Sequence, residues 1–333
     1  MRKGQSADSV VRYTKFLGLD KSNDSVNFAL GEGVIKLKEA KNVNITRDMK
    51  PERRDGRTVW ASGGKFSSLW GNKRYCFGVE DGSLVQFAVG GSRVTLLSGV
   101  GDSPMSFVDG KNGFIYFTNG VVIGKIGNSG AVSLGSSSDQ FKTTLPIGSF
   151  VSFLSPRVLV ARGNVVYLSD AVNRDVYHKE QGFLQFETAV RMVAPVGGSL
   201  YVSDTTSTWF LQRMQSNLEV PVPKFKWKRV LGYPALNGNV CTTLYNVVVG
   251  KSFYSEAAAW LTRRGVCIGG EDGNVVNLTE DKSDIPGIPV GGAMCFRQVG
   301  DLNLLISIFK GVGEFGGLSG SLAIDSPAPN LIN

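Results

Sequence analysis

Six carboxylates are the residues of this sequence with the right chemistry for acid–base catalysis. They are Asp102, Asp109, Asp170, Asp175, Glu187 and Asp204. A glycoside hydrolase needs two such groups, because one protonates the leaving oxygen while the other acts as base or nucleophile. Most of the six, however, stand beside Gly, Ser, Asn or Thr, where a carboxylate usually accepts hydrogen bonds from the backbone of its own turn. The pattern therefore favours turns, and we predict no catalytic residue and no enzymatic activity.

Histidine and cysteine are too sparse and too scattered for the common metal sites. The single histidine, His178, excludes an H-E-x-x-H zinc site, and its polar surroundings are typical of a surface connection. The cysteines are Cys76, Cys241, Cys267 and Cys295. They include no C-x-x-C pair, so we interpret them as reduced thiols of the core. Because Asp170–Asp175 also lacks the spacing of a calcium loop, we predict no metal and no cofactor.

The first of two basic clusters alternates charged and aromatic residues. Its basic members are Lys224, Lys226, Lys228 and Arg229. The period of two in a β-strand places the three lysines on one face and Phe225 with Trp227 on the other. Such a row can neutralise phosphates spaced roughly 7 Å apart, or it can keep an edge strand soluble. The sequence leaves both interpretations open.

The second basic cluster lies between Lys36 and Arg57. Its candidate contact residues are Arg53, Arg54 and Arg57. They are suited to contact a neighbouring subunit or a nucleic-acid backbone, and the alternative is the solvated charge of a hairpin. The whole chain carries 36 Lys and Arg against 28 Asp and Glu, a formal net charge of +8. This balance favours acidic partners, although solubility alone explains it equally well.

Short apolar runs closed by turn dipeptides predict an all-β chain. Runs rich in Val, Ile, Tyr and Phe recur throughout, and amphipathic patterns at helical spacing are almost absent. Two hairpins are clearest: Arg74–Val79 with Leu84–Phe87, and Phe114–Phe117 with Val121–Ile123. Asp-Gly joins the first pair and Asn-Gly the second, and both dipeptides suit type I′ turns. No apolar run reaches the roughly 18 residues of a membrane helix, so we predict no membrane insertion.

The turns repeat at a period that matches one propeller blade. Gly82, Gly120 and Gly163 are about 40 residues apart, the length of a four-stranded sheet that must stack on its neighbours around an axis. β-sandwiches do not sustain this period, and solenoid repeats are normally shorter. We therefore predict a single β-propeller of six or seven four-stranded blades over residues 61–333, preceded by an N-terminal arm over residues 1–60.

The repeat alone does not determine the structure of two segments. Val34–Leu37 or Ala40–Ile45 is expected to pair with the C-terminal strands, because such pairing closes the ring and removes an exposed edge. Ser255–Gly265 fits a short helix with Ser255 as its cap. We predict a strand there instead, because Val266 and a hairpin turn follow immediately.

Several segments, taken in order, resemble tail-associated virion proteins of double-stranded DNA phages. They are Leu37–Ile45, Arg53–Arg57, Leu145–Gly148, Arg157–Ala171, Met192–Asp204 and Ala259–Thr279. Each segment is short, and part of each is ordinary β-hairpin chemistry. The shared order along the chain is what makes the resemblance specific.

The resemblance implies a structural role in a short phage tail. Proteins of this nozzle or hub kind are implied to be propellers whose copies, here six, form a ring around the DNA exit channel. Their expected partners are portal or adaptor proteins and fibre or needle proteins, with transient contact to DNA. Localisation in the virion tail after assembly in the host cytoplasm is implied as well. No catalytic residue belongs to the resemblance.

Two other functions fit a propeller. The first alternative is a carbohydrate-binding or glycoside-cleaving propeller, whose cleaving form requires two carboxylates roughly 5 to 9.5 Å apart at one pocket. The second is an intracellular scaffold that binds peptides on one face of the disc.

Overall fold

Every regular element that the structure describes is a β-strand. The computed structural model describes residues 15–19, 34–37, 43–45, 51–53, 64–88, 91–214, 223–237, 241–249, 252–279, 289–299, 302–310 and 319–324. All the elements assigned within these ranges are strands. The all-β prediction is therefore confirmed.

Four short strands precede the blades. They are β1 (Lys15–Leu19), β2 (Val34–Leu37), β3 (Val43–Ile45) and β4 (Pro51–Arg53). Strands β1 and β2 pair in parallel, whereas β3 and β4 pair antiparallel. The expected pairing of Val34–Leu37 or Ala40–Ile45 with a C-terminal strand is thus corrected, because the strands in both segments pair with neighbours along the N-terminal chain.

The rest of the chain repeats one antiparallel sheet. Blade 1 contains β5 (Phe66–Gly71), β6 (Cys76–Glu80), β7 (Ser83–Phe87) and β8 (Arg93–Leu97). Blade 2 contains β9 (Ser106–Asp109), β10 (Ile115–Thr118), β11 (Ile123–Gly127) and β12 (Gly130–Val132), and β13 (Lys142–Thr144) follows it. Blade 3 contains β14 (Phe150–Leu154), β15 (Arg157–Arg162) and β16 (Val165–Leu168), then, after the inserted β17 (Val176–His178), β18 (Phe183–Gln185).

The later sheets continue this pattern with longer strands. Blade 4 contains β19 (Met192–Val196), β20 (Ser199–Ser203), β21 (Thr208–Arg213) and β22 (Phe225–Leu231). Blade 5 contains β23 (Cys241–Val249), β24 (Ser252–Thr262), β25 (Gly265–Gly270) and β26 (Val275–Asn277). The sixth sheet contains β27 (Gly291–Val299), β28 (Leu302–Lys310) and β29 (Ser319–Ile324). Ser255–Gly265 falls in β24 and the start of β25, so the strand prediction is confirmed there.

Successive sheets meet through their first strands. Strand β9 contacts β14, β14 contacts β19, β19 contacts β23 and β23 contacts β27. First strands that lie side by side in chain order arrange the sheets around a common axis, which is the architecture of a β-propeller. The predicted fold class is confirmed. In the described ranges the propeller has five four-stranded blades and a sixth sheet of three strands.

The core lies between neighbouring blades. From blade 1 to blade 2 the rings of Trp70, Phe77, Phe107 and Phe117 follow one another with centroid separations of 6.0, 6.2 and 6.5 Å. Between blades 4 and 5 the fully buried Trp260 packs against Tyr201 at 5.0 Å. A strand such as β20 is buried along its whole length, so both faces of its sheet are covered by other blades.

The two predicted hairpins form, but their turns differ. Asp81 and Gly82 have φ angles of 46° and 71°, as a type I′ turn requires, so the first prediction is confirmed. At the second, only Gly120 has a positive φ, of 87°. Asn119 instead accepts hydrogen bonds from the amides of Val121 and Val122 through its side chain, both at 3.0 Å. The asparagine therefore organises a longer loop by side-chain bonding rather than by a left-handed backbone.

An inserted two-stranded sheet fastens blade 3 to blade 2. Strand β13 pairs with β17, and the buried carboxylate of Asp175, next to β17, receives Lys125 Nζ of blade 2 at 2.5 Å. The same carboxylate accepts hydrogen bonds from the backbone N–H of Gly135 at 2.6 Å and from the hydroxyl of Tyr116 at 3.2 Å. Because the Asp175 carboxylate is paired with an ammonium group and accepts hydrogen bonds, these interactions offset the cost of removing its charge from water.

Removal of the Asp175 carboxylate is expected to destabilise the propeller strongly. Asp175→Ala leaves the Lys125 ammonium largely buried without its partner, and losses of this kind are about 3–5 kcal/mol in the free energy of unfolding. Urea denaturation measures the change. Asp102→Ala is the control, because Asp102 pairs with Lys65 in solvent and should lose less than about 1 kcal/mol. Equal losses in the two variants would contradict the structural role given to Asp175.

Candidate binding surfaces

The lysine row lies on the outer edge of blade 4. Lys224 directly precedes β22, and Lys226, Lys228 and Arg229 lie within it; all four side chains are exposed. Strand β22 is the outermost strand of its sheet and pairs only with β21 among the described strands. Its outward N–H and C=O groups are therefore available to another strand.

Aromatic residues hold the other face of this edge strand. Trp227 packs on Phe186 of the preceding blade at 4.9 Å and on Trp209 at 6.4 Å, while its side chain remains 41 % exposed. Phe225 packs against the cluster between blades 3 and 4. The predicted alternation along the strand is therefore present.

The lysines themselves carry uncompensated charge. Within the part of the chain that the structure describes, neither Lys224, Lys226 nor Lys228 forms an ion pair with a carboxylate. A row of unpaired ammonium groups beside an unpaired strand edge attracts acidic surfaces and repels basic ones. The contact role of these residues stays a prediction.

Of the three candidate arginines in the N-terminal arm, the structure describes Arg53. Arg53 is the last residue of β4, where it pairs with Val43. Arg54 and Arg57 lie outside the described residues. Their role as partner or nucleic-acid contacts also stays a prediction.

Turn chemistry explains three of the six candidate carboxylates. Asp204 accepts hydrogen bonds from the amides of Thr206 and Ser207 at 2.7 and 2.8 Å and from the indole N–H of Trp209 at 3.2 Å. Burial alone would raise the pKa of Asp204, but these bonds outweigh it and hold the pKa below its usual range. Asp109 and Asp170 accept hydrogen bonds from backbone amides two residues further along the chain.

The other three carboxylates do not form a catalytic pair in the described structure. Asp175 departs from the turn interpretation, because its carboxylate is the buried partner of Lys125. Asp102 pairs with Lys65 at the surface, and Glu187 is exposed. Two carboxylates do approach each other where Lys142 Nζ contacts Asp170 at 3.0 Å and Asp139 at 3.8 Å. The lysine pairs with both carboxylates, so this group is an ion-pair cluster rather than a general acid and a general base.

His178 and the cysteines correct two sequence expectations. His178 lies in strand β17, half-buried, with its ring stacked on Phe141 at 6.2 Å, and not in a surface connection. Its pairing with β13 explains the difference. Cys267 is buried, as the core interpretation predicts, but Cys295 is exposed, so that interpretation fails for Cys295. Burial raises the pKa of Cys241 to about 11, which keeps this thiol protonated and unreactive.

A pocket of about 590 Å³ opens between blades 1 and 2. Its walls come from the β5–β6 loop, the β9–β10 loop and the β11–β12 turn, which emerge on the same face because strand directions alternate. Its polar residues are Asn72, Lys73, Arg74, Tyr75, Asp109, Lys111 and Asn128. Sequence analysis missed this site. The usable signal was a basic residue in the loop after the first strand of two consecutive blades.

The described part of the chain contains no cluster of three potential metal-binding side chains. None of its elements is a helix long and apolar enough to span a membrane.

These features define the class of the protein as a β-propeller with a basic outer edge and a basic pocket. No model of a protein family and no curated protein matches the chain. Among solved structures, selenomethionine-substituted virginiamycin B lyase from Staphylococcus aureus is 8 % identical, with a TM-score of 0.46, over 79 % of this chain and 85 % of that chain. The N-terminal domain of Nup159 is 10 % identical, with a TM-score of 0.46, over 77 % of this chain and 74 % of that chain. The Pan2 WD40 domain of Neurospora crassa is 12 % identical, with a TM-score of 0.39, over 72 % and 71 %.

The carboxylate of Asp204 is expected to make stability depend on acid pH. Its lowered pKa means that the folded state binds the proton less readily than the unfolded state, so its stabilisation is present above about pH 4 and is lost as pH falls through the folded pKa. Asp204→Asn should therefore be less stable at pH 7, by about 1–3 kcal/mol. The variant should also lose less further stability than the parent between pH 5 and pH 2.

Urea denaturation across this pH range measures the effect. Asp102→Asn is the control, since its carboxylate is exposed. Parallel pH profiles for the parent and Asp204→Asn would contradict the interpretation.

Proposed function

We propose that this chain is a non-enzymatic structural propeller of a double-stranded DNA phage tail. In this proposal its copies form a hexameric ring of the nozzle or hub kind around the DNA exit channel. Adaptor, fibre or needle proteins contact the ring. The observation that carries the proposal is the outer edge of blade 4, where β22 pairs on one side only and presents lysines that have no acidic partner among the described residues. The ordered segments that resemble tail proteins supply the biological setting.

The position of the lysine row favours contact with protein over contact with DNA. Strand β22 is at the rim of the disc and not at the propeller axis, since it is fourth in its sheet and β19 is first. A rim is where neighbouring discs meet in a ring. A strongly basic channel, in contrast, would hold phosphates and slow the exit of DNA. We therefore assign the lysine row to an acidic surface of an adjoining protein.

The glycoside-cleaving alternative is less well supported. It requires two carboxylates that face one pocket, whereas the candidate Asp170 shares its ion-pair partner Lys142 with Asp139.

Electron microscopy of particles that carry a label on this chain tests the proposal. We expect the label to form a ring on the tail axis. Absence of the chain from purified particles would contradict the proposal, as would its location on the capsid.

Neutralisation of the lysine row is expected to weaken assembly. The variant Lys224→Gln, Lys226→Gln, Lys228→Gln removes three charges from the rim and should lower incorporation into tails at least several-fold, because charge complementarity guides association. Quantitative immunoblotting of purified particles measures this. The control replaces Lys65, Lys73 and Lys179, which are exposed lysines of other blades, by Gln. Equal incorporation of both variants would contradict the role of β22.

A further inference from the structure

We propose that the pocket between blades 1 and 2 binds a small saccharide that carries a carboxylate or a phosphate group. The proposal is independent of the tail assignment, because it depends only on the charges and polar groups of this pocket.

The pocket has an excess of positive charge. Lys111 Nζ contacts Asp109 at 3.1 Å, so one of its three cationic side chains is already paired. Lys73 and Arg74 are exposed and form no ion pair with any carboxylate in the described ranges. The guanidinium of Arg74 presents the planar pair of donors that matches a carboxylate or a phosphate. A net positive pocket of this kind selects an anionic ligand.

Neutral groups of the pocket match sugar hydroxyls. Asn72 accepts hydrogen bonds from the amides of Arg74 and Tyr75, each at 2.8 Å, so its side chain is held in place while its NH₂ group remains a donor. The ring of Tyr75 is fixed by stacking on Phe77 at 5.7 Å. Together with Asn128, these residues supply several donors and acceptors that a bare anion does not need.

The dimensions of the pocket also suit a sugar. Its volume of about 590 Å³ lies in the range of small-molecule sites and accommodates one or two sugar rings.

Calorimetric titration of the intact chain tests the proposal. The probes are glucuronate and glucose 6-phosphate as acidic sugars, glucose as the neutral sugar, and inorganic phosphate as the bare anion. We expect at least one acidic sugar to bind more tightly than glucose and more tightly than phosphate. Which acidic sugar binds distinguishes carboxylate from phosphate recognition.

Substitutions inside and outside the pocket test whether the acidic sugar binds there. Arg74→Gln should weaken the affinity for the acidic sugar roughly ten-fold or more, because a charge-assisted hydrogen bond is lost. Arg263→Gln removes the same charge from the exposed turn between β24 and β25 and should leave the affinity unchanged. Arg74→Lys keeps the charge but loses the planar pair of donors, so its affinity should lie between the parent and Arg74→Gln. Thermal unfolding verifies that all three variants fold.

Four results would overturn the proposal. They are the absence of binding for both acidic sugars, equal affinity for glucose, equal affinity for inorganic phosphate, and an equal loss of affinity in Arg74→Gln and Arg263→Gln.

Discussion

Burial of apolar surface between neighbouring blades is the constraint on which the rest of this structure depends. A four-stranded sheet of this size has two faces, and in strands such as β20 and β25 every residue is buried. A sheet alone would leave one or both of these faces in water, at a cost of roughly 25 cal/mol for each Å² of apolar surface. The blades are therefore stable only as a stack, in which each one covers the next.

Because the apolar core lies between the blades, the loops and the outer strands remain free for binding. The aromatic series from Trp70 to Phe117 fixes blade 1 against blade 2, and the same junction positions the two loops that form the basic pocket. At the rim of blade 4, Trp227 packs on Phe186, which joins β22 to blade 3 while the lysines of β22 are exposed. Both candidate surfaces thus depend on packing that takes place beneath them.

The sequence predicted the repeating features well, because they depend on local chemistry. Asp-Gly at Asp81 and Gly82 specifies a type I′ turn by itself, and alternation between Lys224 and Arg229 specifies a strand with two unlike faces. Local chemistry does not determine which distant groups meet. Asp175 looks like an ordinary turn residue in the sequence, yet its partner Lys125 is in another blade. The basic pocket was missed for the same reason, since Arg74 and Lys111 converge only after two blades have packed.

Native-state hydrogen exchange of the intact protein tests most directly whether blade stacking is the source of stability. The second strands β10, β15, β20 and β24 belong to four different blades. If the blades are stable only together, the slowest amides of all four strands should exchange with one common free energy, equal to that of global unfolding. Distinct free energies for the separate blades, each below the global value, would contradict this account.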